Sequence, residues 1–288
     1  MKGSGALEVL RTGALATVQD SGRPGFAHLG VSGSGAADRG SLRLANRLVG
    51  NPESAAGIEV VLGGFAVRLL ARPAVVAVTG ARCSVRADGR LLAMDSPLQL
   101  SAETVLELGA PEAGLRTYLA VRGGLDVAAV LGSRSTDTLS GLGPDALTEG
   151  VELPVGSDEL EAPSVDIAPQ PHPPAELVLG VRVGPRDDWF ADGAVDQLCS
   201  TGWQVSSDTD RVGIRLDGEP LERRGDGELK SEAMVRGSIQ VPRGGRPIVF
   251  GADHPVTGGY PVIAVVDGDD MDLAAQARPG QTLRFRAR

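Results

Sequence analysis

The chain has 288 residues, of which 42% are hydrophobic and 23% are charged, and its mean hydropathy is essentially zero. This composition is typical of a folded protein with one large or two ordinary domains, and no stretch approaches the roughly 20 apolar residues of a membrane helix. The net charge of -9 argues against nucleic acid as the main partner, because phosphate backbones are bound by clustered Lys and Arg. We therefore expect a cytoplasmic protein that binds neither nucleic acid nor a membrane.

Short strands dominate the prediction along the whole chain. Segments rich in Val and Leu alternate with turns that contain Gly, Pro, Asn or Asp, which is the pattern of β-strands. The predicted strands lie at 7–10, 14–19, 58–62, 65–70, 74–80, 82–89, 105–109, 116–124, 177–184, 213–218, 237–242, 246–253, 261–266 and 282–288.

Two segments have helical patterns. The clearer one runs from Asp38 to Val49, with apolar residues on one face and Gly50 directly after it. The other, over 187–200, carries acidic residues in its first turn, where the helix dipole favours them. The chain is therefore predicted to be mainly β with a few short helices.

An acidic, proline-dense segment over 152–176 separates two strand-rich halves. Such a composition is typical of a connector between domains, although a long surface loop within one domain would look the same. The connector reading predicts one domain at 1–172, which includes this segment, and a second at 173–288.

Some kinds of site are disfavoured by the residue types present. The only lysines are Lys2 and Lys230, and neither stands in a P-loop or in a setting typical of covalently bound biotin. If the chain uses ATP or biotin, we therefore expect a partner to supply the machinery that binds it. No metal site is predicted, because the cysteines and histidines have no ligand-like spacing: Cys83, Cys199, His28, His172 and His254.

Polar segments in the first half could carry chemistry. Asp20 and Arg23 lie in the turn after a predicted strand, where they could form an ion pair, face a ligand together or simply cap backbone amides. A glycine-rich run around Gly33 and Ser34 leads into the first helix and could present amides to an anion. Asp38, at the end of that run, could instead serve as the helix N-cap.

In the second half, polar residues follow strand ends beside paired glycines. Gly258 and Gly259 would let a ligand approach the backbone closely. Asp253 precedes His254, which suggests acid-base chemistry, although adjacent residues on a strand point to opposite faces. No GxSxG motif occurs, which disfavours an α/β-type serine hydrolase.

Four segments, at 16–38, 45–60, 118–136 and 231–266, resemble the KipA or allophanate hydrolase subunit 2 family. Its members are also described as biotin-dependent carboxyltransferase family proteins or as the C subunit of 5-oxoprolinase. The resemblance covers nearly the whole chain, from about Leu7 to Phe285. It implies two cyclophilin-like β-barrel domains without prolyl isomerase activity.

The resemblance implies an enzyme component that works with partners. With a KipI-like protein as the B subunit and a LamB/YcsF-like protein as the A subunit, it would open the lactam of 5-oxoproline to glutamate, using ATP and Mg bound with the partner subunits. One alternative is the carboxyltransferase component of a urea carboxylase or allophanate-type system, in which a partner supplies biotin. Another is a regulatory protein that binds KipI as an antagonist of that kinase inhibitor.

The resemblance also selects site residues, because they lie in the family's motifs. The implied catalytic residues are Asp20, Arg23, Asp38, Glu232, Asp253 and Tyr260. The implied substrate-binding residues are Gln19, Gly33, Ser34, Gln240, Thr257, Gly258 and Gly259. One departure matters: Pro255 stands where many relatives have Gln, which removes a polar side chain from this loop. Under the 5-oxoprolinase reading, Asp20, Arg23, Asp38, Glu232 and Tyr260 are expected to converge on one cleft, although they come from both halves of the sequence.

Overall fold

The computed structural model describes residues 5–157, 165–171, 174–225, 227 and 229–288, which divide into two compact units. The first comprises Met1–Arg23, Asp38–Asp137 and Gly141–Pro173, and the second comprises Pro24–Ala37, Thr138–Ser140 and Pro174–Arg288. Two short segments from the first half of the sequence thus belong to the second unit. The domain boundaries at 1–172 and 173–288 stay a prediction, which placed both of these segments in the first domain.

In the first unit, two antiparallel sheets enclose one hydrophobic core. The strands are β1 Ala6–Thr12, β2 Leu15–Gln19, β3 Gly57–Val61, β4 Phe65–Leu70, β5 Ala74–Arg82, β6 Val85–Ala87, β7 Arg90–Leu92, β8 Leu98–Leu100, β9 Val105–Leu108, β10 Ala113–Val121 and β11 Glu152–Pro154. One sheet has the order β11-β1-β4-β9-β6-β7 and the other β2-β3-β10-β5-β8. Alternate side chains face inward, so that Val9 and Ile58 are fully buried.

The second unit is built on a closed barrel with the order β12-β19-β16-β17-β14-β13-β20. These strands, and the two of a separate ribbon, are β12 Leu177–Val183, β13 Trp203–Val205, β14 Gly213–Asp217, β15 Glu232–Ala233, β16 Ser238–Gln240, β17 Ile248–Phe250, β18 Thr257–Gly258, β19 Val262–Val266 and β20 Thr282–Ala287. The parallel pair β12 and β20 closes the barrel, whereas β15 and β18 form the two-stranded ribbon. A separate two-stranded ribbon thus accompanies a barrel that is filled by apolar side chains.

The described helices are α1 Arg39–Leu48, α2 Ala194–Ser200 and α3 Met271–Ala274, with short 3-10 turns at Ala27–Leu29, Asp187–Trp189 and Gly268–Asp270. The helix predicted at 38–49 is confirmed, with Asp38 as its N-cap. The helix predicted from 187 is wrong in its first half, because Phe190 is extended and Gly193 has a φ of 81°. The mainly β class with a few short helices is confirmed. No described helix is long and apolar enough to cross a membrane.

The predicted acidic connector begins with regular structure. Residues 152–154 form β11 and pair with β1, because Leu153 alternates with exposed neighbours and is buried against the core. Ala168 donates its backbone N–H to the Asp95 carbonyl at 2.8 Å. The start of the connector is therefore wrongly predicted, whereas its residues 158–164 and 172–173 lie outside the described residues.

Candidate functional site

The turn after β2 in the first unit is organised around the Asp20 carboxylate. It accepts hydrogen bonds from the backbone N–H groups of Gly22 at 2.7 Å and Arg134 at 2.6 Å. The hydroxyls of Ser133 and Ser135 donate to it at 2.6 and 2.5 Å. Since all four donors belong to the protein, the carboxylate holds this turn against the segment 133–136.

Gln19 and Arg23 contact the same segment. Gln19 donates through Nε2 to the Thr136 carbonyl at 2.9 Å, and Arg23 donates through Nη2 to the Ser135 carbonyl. The Arg23 side chain is fully buried. Its Nη1 atom lies 3.9 Å from the Asp137 carboxylate and has no hydrogen-bond acceptor. The structure thus brings Gln19, Asp20 and Arg23 together.

Sequence reasoning did not select the partner segment of this turn, although 133–136 closes one of the family-like motifs. The signal that could have found it is the alternation of hydroxyls at Ser133 and Ser135, which places both on one side of an extended segment.

Asp38 performs the helix-capping role. Its carboxylate accepts hydrogen bonds from the Ser41 N–H at 2.9 Å and the Ser41 hydroxyl at 2.7 Å. Its own N–H donates to the Tyr118 hydroxyl at 2.8 Å, and that hydroxyl donates to Glu59 at 2.7 Å. Burial, followed by the negative charges of Glu59 and Asp38, raises the pKa of Tyr118 well above its ordinary value. Tyr118 therefore remains a protonated donor beneath the N-terminus of α1.

In the second unit, Asp253 is fully buried and surrounded by donors. Arg211 contacts both of its oxygens, from Nε at 2.8 Å and from Nη2 at 2.9 Å. The Ser34 hydroxyl donates to it at 2.7 Å, and Thr138 donates its N–H at 2.9 Å and its hydroxyl at 2.8 Å. Asp253 thus binds the segments 24–37 and 138–140 to the barrel.

The charge state of Asp253 follows from these contacts. Burial disfavours the carboxylate anion, but the charge of Arg211 and the hydrogen bonds from Arg211, Ser34 and Thr138 outweigh it and lower the pKa of Asp253. Ser34 has a φ of 49°, in the left-handed region that L side chains rarely adopt, and its neighbour Gly33 faces open space. The buried anion therefore holds a strained residue of the glycine-rich run in place.

The ribbon β15–β18 carries another group of predicted residues. Glu232 pairs with Gly258 in the ribbon, and Arg186 binds the Glu232 carboxylate through Nε at 2.9 and 3.1 Å and through Nη2. Gln240 donates from Nε2 to the Tyr260 carbonyl at 3.0 Å. These contacts fix the segment that runs from Thr257 to Tyr260.

A cavity of about 410 Å³ lies beside this segment. It is lined by Arg223, Gly227, Leu229, Arg243, Gly259 and Tyr260. Gly259 and Tyr260 were predicted, whereas the two arginines were missed, since arginine is frequent along this chain and neither stands in a recognisable motif. The cavity combines positive charge, a tyrosine and one apolar wall, which suits a small anionic ligand.

The predicted residues therefore fall into distinct groups within the two units. In the second unit, Gly259 and Tyr260 line the cavity, and Ser34 joins Asp253. Four further predicted residues lie in or beside the ribbon: Glu232, Gln240, Thr257 and Gly258. Among the described residues, no group of three or more His, Cys, Asp or Glu side chains is placed to hold a metal ion. The roles assigned to individual residues stay predictions, and the cavity is a candidate site because predicted residues, Gly259 and Tyr260, line it.

Comparison with known proteins relates the whole chain to two kinds of enzyme. It is 39% identical to the C subunit of 5-oxoprolinase from Escherichia coli (strain K12), over 97% of this chain and 90% of the relative. The solved K. lactis urea amidolyase matches with a TM-score of 0.90 and 29% identity, over 99% of this chain and 19% of that one.

A second solved structure, of the protein TTHA0988, matches with a TM-score of 0.89 and 36% identity, over 98% of this chain. The chain spans only 55% of that protein, so about half of TTHA0988 has no counterpart here. A family model, described as carboxyltransferase domain, subdomain A and B, matches residues 29–287. On this match over most of its length, the chain belongs to the carboxyltransferase domain family, which confirms the resemblance found in its motifs.

Proposed function

We propose that the protein is the C subunit of an ATP-dependent 5-oxoprolinase complex, which opens the lactam of 5-oxoproline to glutamate. The observation that carries this proposal is the 39% identity to a protein named as the C subunit of 5-oxoprolinase, of which the chain covers 90%. Because that relative is named as a subunit, the similarity supports a role within a complex. The proposed partners are a KipI-like protein, as the B subunit, and a LamB/YcsF-like protein, as the A subunit.

Lactam opening needs donors for the developing oxyanion and a base for the attacking water. The cavity beside Tyr260 offers donors, whereas the carboxylates of Asp20 and Asp253 already accept hydrogen bonds from protein groups. Those two carboxylates therefore do not fit as ligands of Mg-ATP. In this proposal ATP binds to the partner subunits, and this chain binds and orients the amide substrate.

Carboxyl transfer is the second candidate function. It is favoured by the structural match to urea amidolyase, which covers 99% of this chain with a TM-score of 0.90. In this alternative a partner supplies carboxybiotin, and the cavity holds the carboxyl acceptor. Both candidates use an amide-like substrate, so the substrate that turns over distinguishes them.

The test is coexpression of this chain with its KipI-like and LamB/YcsF-like partners, followed by measurement of glutamate formed from 5-oxoproline and ATP. We expect turnover that requires all three chains and stops when any one is omitted. A parallel reaction contains urea, bicarbonate, ATP and a biotin carboxylase with its carrier. Turnover without this chain, or carboxylation of urea in place of glutamate formation, would contradict the first proposal.

A further inference from the structure

We infer that the cavity lined by Arg223, Arg243 and Tyr260 is a binding site for a small carboxylate. The inference deepens the proposed function and rests on it for the identity of the ligand, because 5-oxoproline carries one carboxylate beside its lactam ring. The carboxylate-binding chemistry itself follows from the contacts of the second unit.

Arg223 is fixed by its backbone, by an aromatic ring and by one side-chain hydrogen bond, so most of its guanidinium N–H groups are not used to hold it. Its backbone forms a β-bridge with Phe190, and the neighbouring Arg224 N–H donates to the Trp189 carbonyl at 2.9 Å. Its guanidinium lies over the Trp189 ring, 5.9 Å from the centroid. Stacking orients the guanidinium while leaving its edge donors for a planar acceptor. Nη2 donates to the Gly227 carbonyl at 3.0 Å, and Nε has no acceptor.

Arg243 reaches the cavity from a tight turn. The Gly245 N–H donates to the Pro242 carbonyl at 2.9 Å, and Gly245 has a φ of 72°. This turn packs on the chain before Arg223, since the Leu221 N–H donates to the Gly245 carbonyl at 2.9 Å. The backbones that carry the two arginines are therefore hydrogen-bonded to each other.

Nearby arginines in the same unit have carboxylate partners. Arg224 pairs with Asp192, Arg246 pairs with Asp217 at 3.1 Å, and Arg186 binds Glu232. Within the described part of the chain, Arg223 contacts a carbonyl and an aromatic ring but no carboxylate. Its positive charge is the feature of the cavity that an anion would complement.

The other walls suit a small ring that bears a carboxylate. The volume of about 410 Å³ is within the range of small-molecule sites. Guanidinium groups match carboxylates through paired hydrogen bonds, and they remain charged at any physiological pH. Tyr260 adds a hydroxyl, and Leu229 adds an apolar surface for methylene groups. These features favour a carboxylate on a compact, partly apolar body.

The test measures binding to the full chain with two ligands that differ only in the carboxylate: L-5-oxoproline and 2-pyrrolidinone. Ligand-observed NMR titrations would use the wild type, R223Q, R243Q and the control R246Q. The control removes an arginine that is paired at the surface and does not line the cavity. Inorganic phosphate is added as a competitor, and thermal unfolding checks that each variant folds.

We expect 2-pyrrolidinone to bind at least about tenfold more weakly than 5-oxoproline. R223Q and R243Q should each weaken 5-oxoproline binding by a similar factor and should leave 2-pyrrolidinone unaffected, while R246Q should match the wild type. If R223Q fails to fold, R243Q, on its exposed turn, decides the question.

The inference is overturned if 5-oxoproline does not bind, if both ligands bind equally, or if R246Q weakens binding as much as R243Q. Phosphate that binds more tightly than 5-oxoproline would also overturn it, because the cavity would then be a phosphoryl site. Turnover by the complex without carboxylate binding here rejects this inference alone. Carboxylate binding without turnover supports the site and rejects the proposed function.

Discussion

Two polar regions of the second unit, the Asp253 cluster and the Arg223 cavity, use arginine in opposite ways. In the cluster, Arg211 and Asp253 are almost completely buried, and Ser34 and Thr138 complete the carboxylate's hydrogen bonds. In the cavity, Arg223 stacks on a ring and lines open space. The difference teaches that a buried acid chosen for acid-base chemistry can be a structural anchor, whereas an arginine that lines a cavity can keep donors for a ligand, as Arg223 does with Nε.

The largest effect is expected from Asp253→Asn, which removes the charge that compensates buried Arg211. We expect the free energy of unfolding to fall by about 3–5 kcal/mol, because breaking a buried ion pair leaves an uncompensated charge. Urea unfolding measures this loss. Asp217→Asn is the matched control: its pair with Arg246 is exposed, and it should cost about 1 kcal/mol or less. Equal losses of unfolding free energy in the two variants would show that the buried Arg211–Asp253 pair stabilises the fold no more than the exposed Arg246–Asp217 pair.

Asp20→Asn extends the comparison to the first unit. Its carboxylate accepts four hydrogen bonds, and an amide nitrogen in place of one oxygen would face donors. We expect a loss of about 2–3 kcal/mol in the free energy of unfolding. Asp126→Asn, in an exposed pair with Arg134, serves as the control and should change stability little. A stable Asp20→Asn variant with lost turnover in the complex would instead favour a catalytic role.

The pH dependence of stability should reveal the buried carboxylate of the Asp253 cluster. The pKa of Asp253 is lowered on folding, so the stability it contributes is present above its unfolded pKa of about 4 and is lost as the pH falls through the lower folded value. Unfolding followed between pH 7 and pH 2 should show this loss in the wild type and a shallower one in Asp253→Asn. Identical acid profiles would contradict the assignment.

The smallest effect concerns the paired glycines beside the cavity. A Cβ at Gly258 would lie 2.6 Å from Gln240 Nε2, so Gly258→Ala should displace the hydrogen bond to Tyr260 and cost about 1 kcal/mol. A Cβ at Gly259 has Leu229 O at 3.6 Å as its nearest neighbour, an ordinary contact. Gly259→Ala should therefore stay within about 0.5 kcal/mol of the wild type in thermal unfolding. The reverse order would show that the ribbon tolerates displacement of Gln240.

Much of the fold was predictable because local patterns decide it. Apolar alternation predicted the longer strands, such as β5 and β10, and the apolar face of 38–49 predicted α1, for which Asp38 proved to be the N-cap. Some strands of two or three residues, such as β7 and β15, escaped prediction because they are too short for a period to appear, whereas β16 and β17 lie inside predicted strands. The second helix was overestimated because Phe190 pairs with a residue more than 30 positions away.

The candidate site, too, was predictable in part from the sequence and in part only from the tertiary structure. The sequence by itself determined the mainly β class, the first helix and the family, and it pointed to the segment from Thr257 to Tyr260. Only the tertiary structure decided that Asp253 is enclosed by donors from Ser34 and Thr138, more than 100 positions away, and that Arg223 stacks beside an open cavity. The reason is that strands and caps depend on neighbours in sequence, whereas the availability of a charge depends on burial and on partners that folding brings from elsewhere.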